Sequence, residues 1–313
     1  MKDYLVGYTG FVGGNIAARH EFTGNYNSKN IRDAYGGRPD LLVYAGVRAE
    51  MFLANKDPEK DYRTILDAME NIRKISPEKL VLISTIAVYN EPDGVNEDDV
   101  IKEEELSPYG RNRFALEKMV RDEFSDAVII RLPGLYGKGL KKNFIYDFIT
   151  RIPAMLSEEK YMSLANDSEL IRTSYEKLEN GFYRCKKLSD SERAELRECF
   201  ESIGFTSLNF TDSRGTYQYY NLENLWKDIN TALKEDIKLL NLAVEPVTIR
   251  ELYYALTGEI FNNELTRTIP YFNFKTRYDD LFGGRHGYIE QKERIIQDIK
   301  EFVKAYSEKD VRL

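Results

Sequence analysis

Gly7-Tyr8-Thr9-Gly10-Phe11-Val12-Gly13 follows the short apolar run Tyr4-Leu5-Val6 and precedes Asn15-Ile16-Ala17-Ala18, which reads as the start of a helix. Strand, glycine turn and helix, in that order, are the setting in which three glycines cradle a pyrophosphate. Gly7 takes a tight turn that a side chain would block. Gly10 lets the backbone approach the phosphates, and Gly13 lets the helix pack on its strand. The helix N-terminus adds unpaired N–H groups and a partial positive charge. The stretch predicts dinucleotide binding, with Phe11 and Val12 in the turn that faces the phosphates.

Working outward, Leu41–Tyr44, Leu80–Ser84 and Val128–Leu132 are further apolar runs of strand length, and a short strand is expected within Glu21–Tyr26. Helical patterns separate the later ones. Alternating strands and helices imply a parallel sheet with helices on both faces. Asp57-Pro58 is a helix start, an N-cap followed by proline at the first position. Tyr62, Ile65, Leu66, Met69 and Ile72 then recur at helical spacing as a stripe expected to face the sheet. Ser107-Pro108 starts another helix, with Phe114, Met119, Val120 and Phe124 as its stripe.

The character changes beyond Arg151. Residues 158–215 are polar and charged, with one capped helix from Ser189-Asp190-Ser191-Glu192 to Gly204. Phe200, Ile203, Phe205, Leu208 and Phe210 are expected to form a small core there. Leu222–Leu242 reads as one long amphipathic helix, and Ile295, Ile299, Phe302 and Tyr306 mark a last one. This divides the chain into 1–150 and 151–313, with 158–215 atypical and some late elements free to return to the first part.

The 313 residues carry a formal net charge of -7 and a pI near 5.3. A surface that tracks nucleic-acid phosphates needs excess Lys and Arg, so a nucleic-acid partner is not expected. No apolar run approaches the ~18 residues of a membrane helix, and the first strand begins at once, so neither membrane span nor signal peptide is expected. Two cysteines, Cys185 and Cys199, form no CxxC pair; no zinc site is read, and a reducing cytoplasm is the expected location. His20 and His286 are far apart in sequence, which argues against a histidine relay or metal site.

Thr85 ends a strand, and ligands of an open α/β sheet lie beyond the carboxyl ends of its strands. Its hydroxyl would either hold a substrate oxygen or satisfy a turn. Tyr109 and Arg113 are four apart on one helix and share a face. A tyrosine of pKa ~10 is a poor base at neutral pH, but a neighbouring cation can lower that value by ~1–3 units. An exposed tyrosine–arginine stack is the plainer alternative.

Together, the glycine turn, Ser84-Thr85-Ile86-Ala87-Val88-Tyr89, Ser107-Pro108-Tyr109-Gly110-Arg111-Asn112-Arg113 and Arg131-Leu132-Pro133-Gly134-Leu135-Tyr136-Gly137 resemble an extended short-chain dehydrogenase/reductase of the NAD-dependent epimerase/dehydratase family. The resemblance covers about residues 1–150, in order. It implies an α/β fold: a Rossmann-type doubly wound parallel sheet with a smaller α+β C-terminal substrate lobe. It also implies NAD or NADP as cofactor and a nucleotide sugar as substrate. Tyr109 matches the acid/base, Thr85 the hydroxyl that orients the substrate, and Arg113 the position of a lysine that binds the nicotinamide ribose. Asn27 and Ser28 would lie near the adenosine ribose, and Asn30 and Ile31 beside adenine. Ala45, Gly46, Val47 and Arg48 would run past the pyrophosphate, and Pro133 would pack beside the nicotinamide. Many relatives pair through two helices, so a homodimer is the default.

The sequence departs from the family pattern in three places. Arg113 keeps the positive charge of the lysine but cannot relay a proton, since its pKa exceeds 12. No acidic residue closes the second strand, and Lys29 and Arg32 are near, which leaves NAD against NADP open. Gly134 stands where nucleotide-sugar relatives commonly carry asparagine. For the substrate, Asn143 after Lys141-Lys142 is a candidate phosphate contact, and Arg214 and Gln218 would line the cleft, Arg214 reading an anionic group. Three functions follow: an NAD(P)-dependent oxidoreductase or epimerase working through Tyr109, a non-catalytic NAD(P)-binding sensor or scaffold of the same fold, or an interaction protein in which residues 158–215 bind a partner.

Overall fold

The apolar runs of the N-terminal part are strands of one sheet in a computed structural model of the chain, which describes residues 1–265 and 268–311. In chain order they are β1 (Asp3–Val6), β2 (Gly24–Tyr26), β3 (Leu41–Tyr44), β4 (Lys79–Thr85) and β5 (Val128–Leu132). Leu239–Asn241 is the sixth. The order across the sheet is Leu239–Asn241, β5, β4, β3, β1, β2, and every pairing is parallel. The chain leaves β1 for β2 on one side and returns to β3 on the other, so the order reverses between β1 and β3. A crevice beyond the strand ends at such a reversal is where open α/β sheets bind ligands. Only two strands lie on the β1 side, because the chain from Asn27 to Asp40 makes a single 3-10 turn, Ile31–Ala34, before entering β3.

The chain forms two compact units: Met1–Leu140 with Thr216–Val247 and Tyr271–Ile295, and Lys141–Gly215 with Thr248–Pro270 and Ile296–Leu313. The first unit thus ends its opening stretch at Leu140, ten residues before the expected division, and later takes up two further stretches. Among the described residues no helix is long and apolar enough to cross a membrane.

Four helices of the first unit position its site: α1 (Phe11–Ala17), α2 (Met51–Lys56), α3 (Pro58–Ile75) and α4 (Pro108–Glu123). Asp57 caps α3 by accepting from the Lys60 N–H at 3.0 Å, and Ser107 caps α4 by accepting from Gly110 at 3.2 Å. The α3 residues that reach the core are Ile65, Ala68, Met69, Ile72 and Ile75, packed with Leu42, Tyr44, Leu80 and Leu82 of the sheet. Tyr62 and Leu66, expected in that stripe, are 39% and 45% exposed; they lie on its flank, roughly 80–120° around the helix from the line that Ala68 and Ile75 complete. The α4 stripe divides. Val120, Met119 and Phe124 pack on the same core, whereas Phe114 joins a second cluster with Ile86, Val88, Tyr89, Ala243 and Phe274.

The expected helix over Leu222–Leu242 is instead a helix and a strand. The helix runs Leu225–Lys234. Asp236 then takes a left-handed backbone, φ 53°, and Leu239, Leu240 and Asn241 pair with Ile129, Ile130 and Arg131. Helical spacing of leucines through a turn and a short strand gave the false continuity.

In the second unit, Met155–Leu156, Tyr183–Cys185 and Tyr175–Lys177 form a three-stranded antiparallel sheet. Its core gathers Ile152, Tyr161, Leu164, Ile171, Tyr175, Leu196 and Phe200. Phe205 packs against it, and Leu208 is buried, but Ile203 and Phe210 are 43% and 54% exposed. The helix Asp190–Ile203 has the expected Ser189/Glu192 capping box and a left-handed Gly204 at its end.

Candidate active site

The glycine turn sits where the strand order reverses, and two of its glycines are dictated by neighbouring backbone. Gly7 has φ +94°, and a Cβ there would stand 2.4 Å from the Ala45 carbonyl oxygen at the end of β3. A Cβ on Gly13 would stand 2.2 Å from the Gly7 oxygen, so glycine is what lets α1 close on β1. Gly10 is exposed, and its added Cβ would find only the Gly7 oxygen, at 3.2 Å. Its outer face is bare backbone that a phosphate can approach. Phe11 and Val12 are partly buried in the first turn of α1. Asn15 fixes that helix from behind: its amide donates to the Lys138 carbonyl at 2.9 Å, and its oxygen accepts from the Lys138 N–H at 3.1 Å.

The loop after β2 is ordered by its own asparagines. Asn30 accepts from the Asn27 N–H at 2.7 Å and donates to the Asn25 carbonyl at 3.1 Å. Asn27 accepts from Lys29 at 2.9 Å. Ser28 is exposed, as are Lys29 and Arg32, while Ile31 and Val47 pack on the sheet core. Ala45 is partly buried and Gly46 and Arg48 are exposed. Pro133 is partly buried one residue past Leu132, the β5 partner of Thr85.

Thr85 and Tyr109 come together. Thr85 closes β4, and its hydroxyl accepts from the Ala87 N–H at 3.2 Å. Tyr109 lies in the first turn of α4, held there by Asn55 of α2, which accepts its N–H at 2.9 Å. The Tyr109 ring is 5% exposed, and the Arg113 guanidinium stacks over it at 4.3 Å. Burial raises the phenol pKa above its ordinary value, Asp61 adds to that, and Arg113 and the Thr85 hydroxyl pull it only partly back. The expectation that Arg113 would leave the phenol more acidic than usual is therefore corrected: desolvation wins over the nearby cation.

Arg113 has other partners. Its two terminal nitrogens donate to both oxygens of Asp61, at 2.7 and 3.0 Å, and one donates also to the Arg48 carbonyl at 2.6 Å. Asn112 donates to the same carboxylate at 2.9 Å. Asp61, on α3, was invisible to sequence reasoning because it is 52 residues from its partner and sits in a first turn where acidic residues are ordinary. A second pair lies on the same helix: Glu117 accepts from Arg131 of β5, closest at 2.7 Å, and from the Ser84 hydroxyl at 2.5 Å. Arg131 donates on to the Tyr89 hydroxyl at 2.7 Å. This network ties the strand that ends in Thr85 to the helix that begins with Tyr109.

The expected substrate residues divide differently. Gln218 is 2% exposed, and its amide is consumed internally. It donates to the carbonyls of Val244 and Phe274 at 2.6 and 2.8 Å and accepts from the Phe274 N–H at 3.0 Å. It is a structural staple and lines no open surface. Gly134 packs beside it, since a Cβ there would stand 2.7 Å from the Gln218 carbonyl. Asn143 and Arg214 belong to the second unit. Asn143 caps the helix Phe144–Thr150, accepting from Ile145 and Tyr146 at 3.0 and 3.2 Å. Arg214 is matched by Asp212 at 2.8 Å and by Glu264 at 3.0 Å, so its charge is already met by two carboxylates.

A family model described as RmlD substrate binding domain matches residues 14–192. No curated protein matches the chain in sequence. Among solved structures, the chain is similar to a UDP-glucose 4-epimerase with UDP-glucose from Thermotoga maritima, at 13% identity, covering 99% of this chain and 100% of that one, with a TM-score of 0.65. It is similar to RMD from Pseudomonas aeruginosa complexed with NADPH, at 13% identity over the whole of both chains and a TM-score of 0.64. A dTDP-4-dehydrorhamnose reductase from Clostridium acetobutylicum aligns at 13% identity over 98% and 100%, with a TM-score of 0.61. At such identity these likenesses establish the shared fold.

Proposed function

The chain belongs to the family described as RmlD substrate binding domain, and from that premise we propose an NAD(P)-dependent oxidoreductase of the epimerase, dehydratase or reductase type that acts on a nucleotide sugar or related carbohydrate. The meeting of the Thr85 hydroxyl and the Tyr109 phenol at the carboxyl end of β4, on the same sheet as the Gly7–Gly13 turn, is the observation that supports this most. The solved neighbours are consistent with it, one complexed with NADPH and another holding UDP-glucose.

The residues fit such a cofactor: bare backbone at Gly10 for the pyrophosphate, the Asn27–Ile31 loop for the adenosine end, and Ala45–Arg48 and Pro133 toward the nicotinamide. A bound nicotinamide supplies or accepts the hydride. Thr85 holds the substrate oxygen by hydrogen bond, and Tyr109 exchanges a proton with it as the carbon–hydrogen bond forms or breaks. Burial raises the phenol's pKa and so favours its protonated form, the one that can give its proton to a carbonyl oxygen.

Asn143 and Arg214 remain candidates for the substrate's phosphates. Homodimerisation in the cytoplasm completes the reading, with the exposed Tyr62 and Leu66 on α3 as the apolar surface to be covered; light scattering tests it. One observation favours the non-catalytic alternative: Arg113 spends three N–H bonds on Asp61 and Arg48, leaving little for a ribose.

The deciding experiment measures calorimetric binding of NAD and NADP, then turnover on a panel of nucleotide sugars, for the parent and for Arg113→Lys. Binding with turnover that falls in R113K supports the enzyme. Binding without turnover until lysine is installed supports the sensor or scaffold. No heat with either nucleotide removes both.

A further inference from the structure

Arg113 is the residue in which this chain departs from the family lysine, and what it can do is decided by its neighbours. A guanidinium has five N–H groups, and three are committed: two to the Asp61 oxygens and one to the Arg48 carbonyl. Its side chain is 6% exposed and that of Asp61 12%, so water competes weakly for the pair. The Asp61 carboxylate takes a third bond, from Asn112. The fork geometry leaves the guanidinium face against the Tyr109 ring at 4.3 Å, where a cation meets the negative face of the π system.

We propose that Asp61 is a positioning residue that governs Tyr109: its two-point bond holds Arg113 over the phenol ring and offsets part of the positive charge that acts on the phenol oxygen. The family lysine, by the resemblance, lowers the tyrosine's pKa and binds ribose. Here a carboxylate has been set against the substituted cation, and it faces the same phenol. The charged groups acting on that phenol are Arg113 from its own helix and Asp61 from α3, and β4 contributes the uncharged Thr85 hydroxyl; Asn55 of α2 meets the Tyr109 backbone N–H and the Arg48 carbonyl meets Arg113. Removing the negative charge leaves a lone cation at the phenol, which favours phenolate. The inference rests on reading Tyr109 as the proton-bearing group, but it is a statement about that phenol whether or not the protein turns over.

The test is a titration that needs no substrate. Carbon-13 at the tyrosine ring Cζ reports phenol ionisation by NMR, and Tyr109→Phe identifies the Tyr109 signal among the 22 tyrosines. In Asp61→Asn, Tyr109 is expected to ionise at a pH lower than in the parent by roughly half a unit or more. Asp61→Glu, which restores the charge, should return it toward the parent. Asp61→Ser is the second neutral variant and keeps a hydroxyl acceptor for Asn112. Where turnover exists, the alkaline limb of the reductive rate should move by the same amount. Ionisation in D61N and D61S at or above the parent pH overturns the proposal. So does failure of both neutral variants to fold, which would make the pair a structural clamp and nothing more. A shifted titration in a protein with no turnover on any sugar nucleotide would leave this inference standing and remove the enzymatic reading.

Discussion

Helix α4 carries one partner of each of two arginine–carboxylate pairs: Arg113 meets Asp61, and one turn on Glu117 meets Arg131. The Glu117–Arg131 pair is sealed, its side chains 0% and 1% exposed, and its guanidinium lies over the Tyr89 ring at 5.0 Å. Arg131 spends its donors on Glu117 and Tyr89, and Glu117 takes the Ser84 hydroxyl as well. The Arg113–Asp61 pair sits at the edge of the crevice, and one face of its guanidinium lies on Tyr109. The difference teaches that an ion pair's role follows from where its remaining valences point. Both guanidinia lie over a tyrosine ring, at 4.3 Å for Arg113 and 5.0 Å for Arg131; the sealed pair locks a strand to a helix, and the pair whose tyrosine is the proposed proton carrier adjusts that group.

The comparison breaks first at Tyr109. Tyr109→Phe removes the proton carrier and should lower turnover by ~10²–10⁴-fold, with urea unfolding close to that of the parent. A Phe variant that keeps its rate would leave the Arg113–Asp61 pair with nothing to adjust and make both pairs structural. Next comes Arg131→Met, which strands a fully buried carboxylate. Breaking such a pair from one side costs about 3–5 kcal/mol, read as a drop in the urea midpoint. Asp61→Asn should cost less than half as much, because its side chain retains some access to water. Equal losses would erase the distinction between lock and governor. A smaller effect follows when both members of the sealed pair go at once. Glu117→Leu with Arg131→Met leaves no orphaned charge, and replacing a buried pair by apolar groups is often neutral or stabilising. Ser84 and Tyr89 each lose a partner, at about 1 kcal/mol apiece. The double variant should therefore be more stable than R131M alone, and a strictly additive cycle would show that the two residues are not coupled.

Much of the site was legible in the chain because it is encoded locally. Gly7 and Gly13 are demanded by backbone contacts at β1 and β3, and only glycine relieves them. Thr85 and Tyr109 are placed by a strand end and a capped helix start, both of which have sequence signals. What could not be read depends on pairs distant in sequence. Asp61 is separated from Arg113 by 52 residues and Glu117 from Arg131 by 14, and nothing in the composition of either segment selects one partner over its neighbours. Gln218 misled for the opposite reason. A glutamine beside tyrosines resembles a binding surface, but here the backbone of Val244 and Phe274 takes its whole amide. The sixth strand was hidden because Leu239 and Leu240 continue the leucine spacing of the preceding helix, whereas the left-handed Asp236 that breaks it is a backbone event.

The last effect extends the comparison to a carboxyl buried without a cation. Asp147 lies in the helix Phe144–Thr150, and burial alone pushes its pKa up to about 7. In the unfolded chain it returns to an ordinary value near 3.8. Between those two values the folded protein holds a proton that the unfolded chain does not, so stability is greatest below about pH 4 and falls as pH rises through the window, levelling above about 7. Asp228, pushed to about 6 by burial, acts in the same direction, so the parent curve alone does not isolate Asp147. The difference between parent and Asp147→Asn does. Asparagine cannot ionise, and the variant should gain on the parent between pH 4 and 8 by roughly 4 kcal/mol at most, the ~3 units between 3.8 and about 7 at ~1.4 kcal/mol each, read as a rise in relative Tm. Parallel curves would mean that a partner or water already meets the carboxylate, in which case burial without a counter-charge costs this fold nothing and the contrast between Asp61 and Glu117 would have to rest on geometry alone.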